Sequence, residues 1–556
     1  MHDYFGTTKF VAEKNIQNAD YDAVVLIAHS GRKLKTAKKF DYLIEESLKV
    51  DPGLKTEIGV LFVNELPGRR IIYTPVSNIN PDYDDVRIIQ KAAVAGTKRA
   101  LLAGSKNLLV VVEEFPEFEK AELVAILGVL EALYTPIHER ERKPSTAKKL
   151  ELLGICLNSY ENSKEIVHLA TILETGRYIS RDIGGGDPER MTPIKIQQYV
   201  EKIFANTSIK LTVISDQSVF EKEYPLFAAV NRGASVVDRH RGRIIYMEYN
   251  PPAEVKNTLF LVGKGVTYDT GGADVKVSGG MMSMSRDKCG AASVVGLMKI
   301  IDELKPQHTK VTAGLAFVRN SIGSNCYVSD EIIISRANVA IRVTNTDAEG
   351  RMAMADLLCK MKENAIGAIN PHLFTIATLT GHSVLCFGSD YGVVMDNGPA
   401  RKAGNSMKLQ QYSEEIGDPV EISVLRKEDF QFHKGKTEGE DIYQGINGMS
   451  TNCRRGHQGP AAFIIMASGL DNHGSDSAIP LKFTHLDVFG NGTAGYPHPP
   501  STSSLLAFAN TYLMHYLTEA RVWTPRGCTD VASRRRRRRS SGDVQLPAQE
   551  TPMTLS

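Results

Sequence analysis

No two cysteines in this chain lie close enough to make a CxxC pair; the seven thiols stand at positions 156, 289, 326, 359, 386, 453 and 528. An odd number so widely spread excludes a disulfide scaffold, and reduced thiols in a cytoplasmic compartment are the expectation. Long apolar runs are lacking as well. The least polar stretch, residues 372–389, is interrupted by Thr375, Thr378, Thr380, Gly381 and two histidines, so it reads as a buried strand and loop and no membrane span is expected. The first residues, Met1 to Gly6, have no basic segment leading into an apolar one, so no secretory signal is expected. Aromatic residues are few, at 7%, with Trp523 the sole tryptophan. Charge of one sign is also missing: 66 basic and 64 acidic residues leave +2, which becomes −4 once Arg534–Arg539 are set aside. The body of the chain therefore offers no basic surface for nucleic acid. A hydrophobic share of 42% and a charged share of 23% are ordinary globular values and exclude a chain disordered throughout or a fibrous rod.

A length of 556 residues exceeds what one hydrophobic core usually supports, roughly 250–300 residues, so at least two domains are expected. Residues 1–162 alternate strand and helix signals. Apolar runs at 23–28, 59–63, 70–74, 107–113 and 152–157 read as strands, with helices over 85–102 and 118–133. That alternation predicts a smaller N-terminal α/β domain with a mostly parallel sheet. A helix over 163–178, followed by a flexible break at Gly184-Gly185-Gly186, is expected to form a linker within 163–186. A larger α/β unit is expected over 187–522, with strands at 258–262, 311–318, 340–344, 373–377 and 483–488. Its helices are expected at 291–304, 352–363, 402–416, 461–470 and 504–517. The segment 523–556 has almost no apolar content and is expected to stay disordered.

Three segments concentrate chemistry. The first, Val262 to Lys276, is a strand running into a glycine-rich loop with Lys264, Asp269, Asp274 and Lys276. The second, Met284 to Gly290, carries Asp287 at the start of a helix. The third, Asn345 to Arg351, places Asp347 and Glu349 two residues apart, so that on extended backbone both point the same way. Functional groups at the junctions of strands and helices are what an open α/β sheet presents at its ligand-binding edge. Should Asp269 and Asp287 converge on Asp347 and Glu349, four carboxylates share a pocket and cannot all stay ionised there unaided. Divalent cations are the simplest remedy, and two of them about 3.5–4 Å apart acidify a shared water. That chemistry predicts metal-assisted hydrolysis of a carbonyl or phosphoryl group. Lys276 is placed to hydrogen-bond a developing oxyanion, and Arg351 to fork a small anion. The plainer alternative is that these acids are solvated or cap helices.

The heptapeptide NTDAEGR at 345–351 resembles the signature of the leucine aminopeptidase (cytosol aminopeptidase) family. The loop from Gly263 through Thr267-Tyr268-Asp269-Thr270-Gly271-Gly272, with Lys276 seven residues after Asp269, is similar to the first metal loop of that family. So are the spacing to Asp287, the strand Ala377-Thr378-Leu379-Thr380-Gly381 and the late strand Thr484-His485-Leu486-Asp487. The likeness runs from about Ile172 to Leu517. It implies a metallopeptidase domain with a mixed central sheet flanked by helices, and removal of N-terminal residues from peptides with a free N-terminus. It implies two divalent ions, zinc with manganese or magnesium at the exchangeable site. Asp269 and Glu349 would bridge them, Lys264 and Asp287 would complete the tighter site, and Asp347 would serve the other. Lys276 and Arg351 would be catalytic, Lys276 polarising the carbonyl and Arg351 holding bicarbonate. Met284, Asn345, Thr378, Leu379 and Gly381 would contact substrate. Family members assemble as hexamers, and a homohexamer is the implied state.

Departures from the family pattern are Met284-Ser285-Arg286 before Asp287, Met352-Ala353-Met354 after Arg351, and His382 after Gly381. They motivate an alternative in which the fold is a scaffold or binding protein with weak or no activity. His382 reads either as a wall of the side-chain pocket or as a hydrogen-bonded core histidine. Arg534–Arg539 read as a solvated extension, with RNA binding or nuclear import as the alternative.

Overall fold

Valine-rich strands with side chains buried on both faces build the first sheet. In the computed structural model, which describes residues 8–493, 495–500 and 502–514, it has six strands. These are β1 (Lys9–Ala12), β2 (Ala23–His29), β3 (Gly59–Phe62), β4 (Arg70–Val76), β5 (Asn107–Val112) and β6 (Leu152–Cys156), in the order β1-β6-β5-β2-β4-β3. All pairs are parallel except β3 with β4. Successive side chains alternate between two cores. Val25, Ile27, Leu108 and Val110 pack beneath α1 (Arg87–Leu102) and α2 (Ala121–Leu133), while Leu26, Ala28, Leu109 and Val111 pack on the other face. Trp523 and Arg534–Arg539 lie outside the described residues.

The helix α3 (Tyr160–Gly185) joins this sheet to the rest. Ser159 caps it, accepting from the Asn162 N–H. The expected break at Gly184-Gly185-Gly186 is not there: the helix continues through Gly185. Those glycines serve close packing instead. A Cβ at Gly184 would sit 2.8 Å from Cys289 Sγ, and one at Gly176 would sit 2.6 Å from the Gly296 carbonyl on α4 (Cys289–Leu304). Helix α3 also buries Glu174, Arg177, Arg181 and Asp182. Glu174 pairs with Arg177 at 2.9 Å and Arg181 at 2.5 Å. Asp182 pairs with Arg140 at 2.6 Å and accepts from the Tyr134 and Tyr199 hydroxyls at 2.8 and 2.7 Å.

The larger sheet has eight strands: β7 (Lys210–Ile214), β8 (Arg243–Tyr249), β9 (Asn257–Asp269), β10 (Thr309–Asn320), β13 (Pro371–Ala377), β14 (Gly392–Asp396), β15 (Val420–Val424) and β17 (Lys482–Asp487). Their order is β15-β14-β17-β13-β9-β10-β8-β7. The centre, β17-β13-β9-β10, is parallel, and the β14–β17, β8–β10 and β7–β8 pairs are antiparallel, so the sheet is mixed as expected. A small third sheet joins β11 (Ile332–Ile334), β12 (Ala340–Arg342) and β16 (Ile442–Tyr443). Helix α4 packs between the central strands and α3 with Val294, Val295, Leu297, Ile300 and Ile301 buried, each worth about 1.5–3 kcal/mol of transfer free energy. On the other face lies α5 (Glu349–Ala365), with Met352, Met354, Leu357, Leu358 and Met361 buried. The helix expected over 402–416 is present as Asn405–Glu415, starting after Gly404, which adopts φ +70° and separates it from a short helix, Gly398–Lys402.

Strand β9 is the longest, with thirteen residues. Its neighbour β13 pairs only as far as Gly263. The last six residues of β9, Lys264 to Asp269, therefore extend past β13 at the C-terminal edge of the parallel strands, where α4, α5 and α6 (Gly381–Phe387) begin.

Candidate metal centre and cleft

Lys264 threads from β9 into the gap between the starts of α4 and α5. Its Nζ lies 2.8 Å from Asp287 Oδ1 and 3.0 Å from Glu349 Oε1, and donates to the Thr378 carbonyl at 2.8 Å. Gly350 makes room for this side chain: a Cβ there would stand 2.4 Å from Lys264 Cε. Lys276 comes from the loop after β9. Its Nζ lies 2.8 Å from Asp269 Oδ2 and pairs also with Asp347. Oxygens of Asp269, Asp347 and Glu349 lie within 4.8 Å of one another. Asp287 joins them through Lys264, which it shares with Glu349. The four acids thus meet although Asp269 and Glu349 are eighty residues apart.

Asp347 and Glu349 converge for a different reason from the one the sequence suggests. The segment is not extended: Asp347 lies in a turn and Glu349 opens α5. The turn is set by Asn345, whose Oδ1 accepts from the Asp347 N–H at 2.8 Å. Neither Asp287 nor Asp347 caps a helix; the N-cap positions of α4 and α5 are Lys288 and Ala348, without a side-chain cap.

Four carboxylates against two ammonium groups leave two negative charges in excess. Burial pushes Asp287 well above the usual carboxylate range, with Glu349 and Asp269 adding to it. Burial and then Asp269 push Asp347 up to about 7, against the pull of Lys276. Burial works against ionised Asp269 too, but Lys276 and Lys264 outweigh it and hold its pKa below the ordinary value. Lys264 and Lys276 are raised in turn, since the acids around them more than offset burial. Asp287 Oδ2 is buried and accepts no hydrogen bond. Negative charge in excess, an orphaned carboxylate oxygen and a donor set of oxygens with one amine fit hard to borderline divalent cations.

The cluster floors a cleft of about 810 Å³ whose lining includes Met284, Asn345, Leu379 and Gly381. Asn345 is fixed there by donating from Nδ2 to the Gly448 carbonyl at 2.9 Å. Thr378 is fully buried behind the acids, where its hydroxyl donates to Asp287 Oδ1 at 3.1 Å. Arg351 also lines the cleft; it donates from Nη1 to the Gln444 carbonyl at 2.9 Å, while its buried Nε has no acceptor. Burial pushes its pKa down to about 10, partly countered by Glu349. Arg286 turns away from the cleft and donates to the Thr493 carbonyl at 3.0 Å. His382 faces His457, with 2.9 Å between their Nδ1 atoms.

Several further residues support the site, and the sequence assigns none of them that role. Asn320, at the end of β10, donates to Asp269 Oδ1 at 2.7 Å. Asp274 accepts from the Thr346 N–H at 2.7 Å and so clasps the first loop to the third segment. Gln444 accepts from the N–H groups of Thr344 and Asn345 and donates to the Ala348 carbonyl. Asp487 accepts from the Thr380 hydroxyl at 2.6 Å. Only Asp274 and Asp487 carried a signal, by standing within noted segments; Asn320 and Gln444 carried none.

Among known proteins, a Caenorhabditis elegans protein that bears an aminopeptidase name is 42% identical over 505 residues, covering 89% of this chain and 96% of its own length. A Chlamydia trachomatis serovar D protein named for cytosol aminopeptidase is 25% identical over 515 residues, covering 91% of this chain and 93% of its own. The bottromycin maturation enzyme BotP, solved in complex with Mn, superposes with a TM-score of 0.71 at 18% identity, covering 89% of this chain and 99% of that one, and so shares the fold. No helix among the described residues is long and apolar enough to cross a membrane. Residues 178–505 match the profile of the cytosol aminopeptidase family, catalytic domain, and this chain belongs to that family.

Proposed function

We propose that the chain is a metal-dependent aminopeptidase that hydrolyses the first peptide bond of peptides with a free N-terminus. The observation that carries this is the meeting of Asp269, Asp287, Asp347 and Glu349 in one cleft with two negative charges in excess and Asp287 Oδ2 unpaired. Lys264, Asp269, Asp287, Asp347 and Glu349 would hold two divalent ions. The donor set suits zinc, and manganese or magnesium at the position of Asp347. BotP's complex with Mn is in keeping with this. When bound, such a pair supplies an acidified water as nucleophile and a polarised scissile carbonyl.

The chain's own residues do the rest. Lys276 Nζ stands beside Asp269 and Asp347 at the cleft floor, and its cationic state, favoured by both acids, lets it donate to an oxyanion as charge develops. Arg351 has a free Nε–H in a buried place, suited to a small anion such as bicarbonate that relays a proton. Leu379, Gly381 and Met284 line the space for the first side chain. A substrate's free N-terminal amine would serve as a further ligand at this centre, and that requirement would confine cleavage to the N-terminal bond. Homohexameric assembly and a cytoplasmic location go with the family and belong to this reading.

The test measures bound metal, then turnover of unblocked against N-acetylated peptides. Two ions per chain at this centre with cleavage of the unblocked series alone is the expected result. Two ions with no cleavage of any peptide would favour the scaffold alternative, and no bound metal would overturn both the cofactor and the mechanism.

A further inference from the structure

A second group of ligating side chains lies behind the cleft wall, and none of its members belongs to the carboxylate cluster. His382 and Cys386 stand one turn apart on α6, so both project from one face of the helix. Facing them is His457, just before α7 (Gln458–Ala467). His382 Nδ1 is 2.9 Å from His457 Nδ1 and 3.5 Å from Cys386 Sγ, and one ligand atom from each residue falls within a 4.8 Å span.

We propose that His382, Cys386 and His457 form a separate zinc site that ties α6 to the loop walling the cleft. Two neutral imidazoles presenting the same nitrogen to each other can place only one proton between them, and a cation uses both lone pairs. Burial keeps both rings neutral at physiological pH, His457 being pushed down to about 4 and His382 lowered. His457 is also oriented as a ligand should be. Its Nε2 lies 2.9 Å from Ser423 Oγ, which leaves Nδ1 aimed at His382. For tetrahedral zinc, with bonds of about 2.0 Å to nitrogen and 2.3 Å to sulfur, nitrogen and sulfur ligands stand about 3.5 Å apart. That is the spacing of Cys386 and His382. The two nitrogens would need to part by a few tenths of an ångström. Two imidazoles and a thiolate select a softer ion than the carboxylate cluster does. Cys386 is exposed, so the fourth position opens to water and gives the ion a way in. On loading, Cys386 releases its thiol proton to solvent as the Zn–S bond forms, and both imidazoles stay neutral.

The site's place gives it a positioning role. Gly456 is pressed against His382, where a Cβ would lie 2.9 Å from the histidine's Cβ and Cγ. The loop it ends contributes Met449, Thr451, Cys453 and Arg455 to the cleft. An ion joining His382 to His457 therefore fixes one wall of the substrate space without touching the reacting atoms.

The full-length chain saturated with zinc and freed of excess should hold one more equivalent than Cys386→Ser or His382→Gln. Loaded with cobalt alone, it should show a thiolate-to-cobalt charge-transfer absorption that is absent in Cys386→Ser and kept in Glu349→Ala. Ser423→Ala should weaken cobalt binding at this absorption by about 10–100-fold. KM for peptides should rise in Cys386→Ser with kcat little changed. Because the carboxylate centre has no thiolate, the absorption reads this site whether or not the chain is a peptidase. Equal zinc content in wild type and Cys386→Ser, or an absorption that survives Cys386→Ser, would overturn the proposal.

Discussion

Two clusters of charge, one around α3 and one at the edge of the larger sheet, are balanced differently. Around α3, Glu131, Glu174 and Asp182 meet Arg140, Arg177 and Arg181, three acids against three bases, each acid facing a guanidinium. At the edge of the larger sheet, four acids meet two lysines. The first arrangement answers its own charge and holds the two halves of the chain together. The second carries an excess that its two lysines leave unanswered, and the proposed ions would answer it. Balance, more than burial or clustering, separates a structural network from a site.

Breaking the unbalanced cluster should give the largest effect. Glu349→Ala is expected to lower kcat/KM on aminoacyl-anilides by about a thousandfold or more, roughly 4 kcal/mol of lost transition-state stabilisation, while folding is kept. Activity near wild type in a preparation free of contaminating peptidase would erase the distinction between the two clusters. The balanced cluster should respond in the opposite way. Arg140→Met strands Asp182 with only two tyrosine hydroxyls and is expected to cost about 3 kcal/mol of stability, read by denaturant melts, with turnover per folded chain unchanged.

Smaller changes sharpen the contrast. Gly350→Ala favours helix α5 but drives a methyl into Lys264, so activity is expected to fall about a hundredfold with no loss of stability. A buried neutral group gives a pH test. Burial pushes His485 down to about 3, against about 6.5 in an unfolded chain. Below that unfolded value the unfolded state takes up a proton that the folded state refuses. Stability is therefore lost as pH falls from about 6.5 toward 3, by about 2 kcal/mol at pH 5. In His485→Gln this share of the acid slope should vanish from melts recorded across that range. Least of all, Lys164→Ala removes an exposed pair with Glu161 at 3.0 Å and is expected to change stability by about 0.3 kcal/mol.

Much of this was legible in the sequence because the chemistry sits in short segments. NTDAEGR and the loop from Gly263 to Lys276 carry six of the seven proposed metal-holding and catalytic residues, all but Asp287, and the apolar runs point to the parallel strands of both sheets. What was not legible depends on distance. Asn320 and Gln444 are ordinary polar residues until folding sets them beside Asp269 and Asn345. The edge strands β1, β7 and β15 are only four or five residues long, too short for periodicity to stand out. Three glycines in a row read as a flexible link, yet residues 184 and 185 are helical because helix–helix contact rewards the missing side chains more than it suffers from their freedom. His382 and Cys386 had no visible partner, since His457 arrives from seventy-odd residues downstream.

Helix α3 has one more consequence, for motion. Its 26 residues span about 39 Å, and from Ala170 to Gly184 most of its side chains are buried against both halves of the chain. A joint packed this closely resists rocking of one half on the other. Passage of a peptide, in the function proposed above, would then fall to the rim of the cleft, where Val277 and Met449 are exposed.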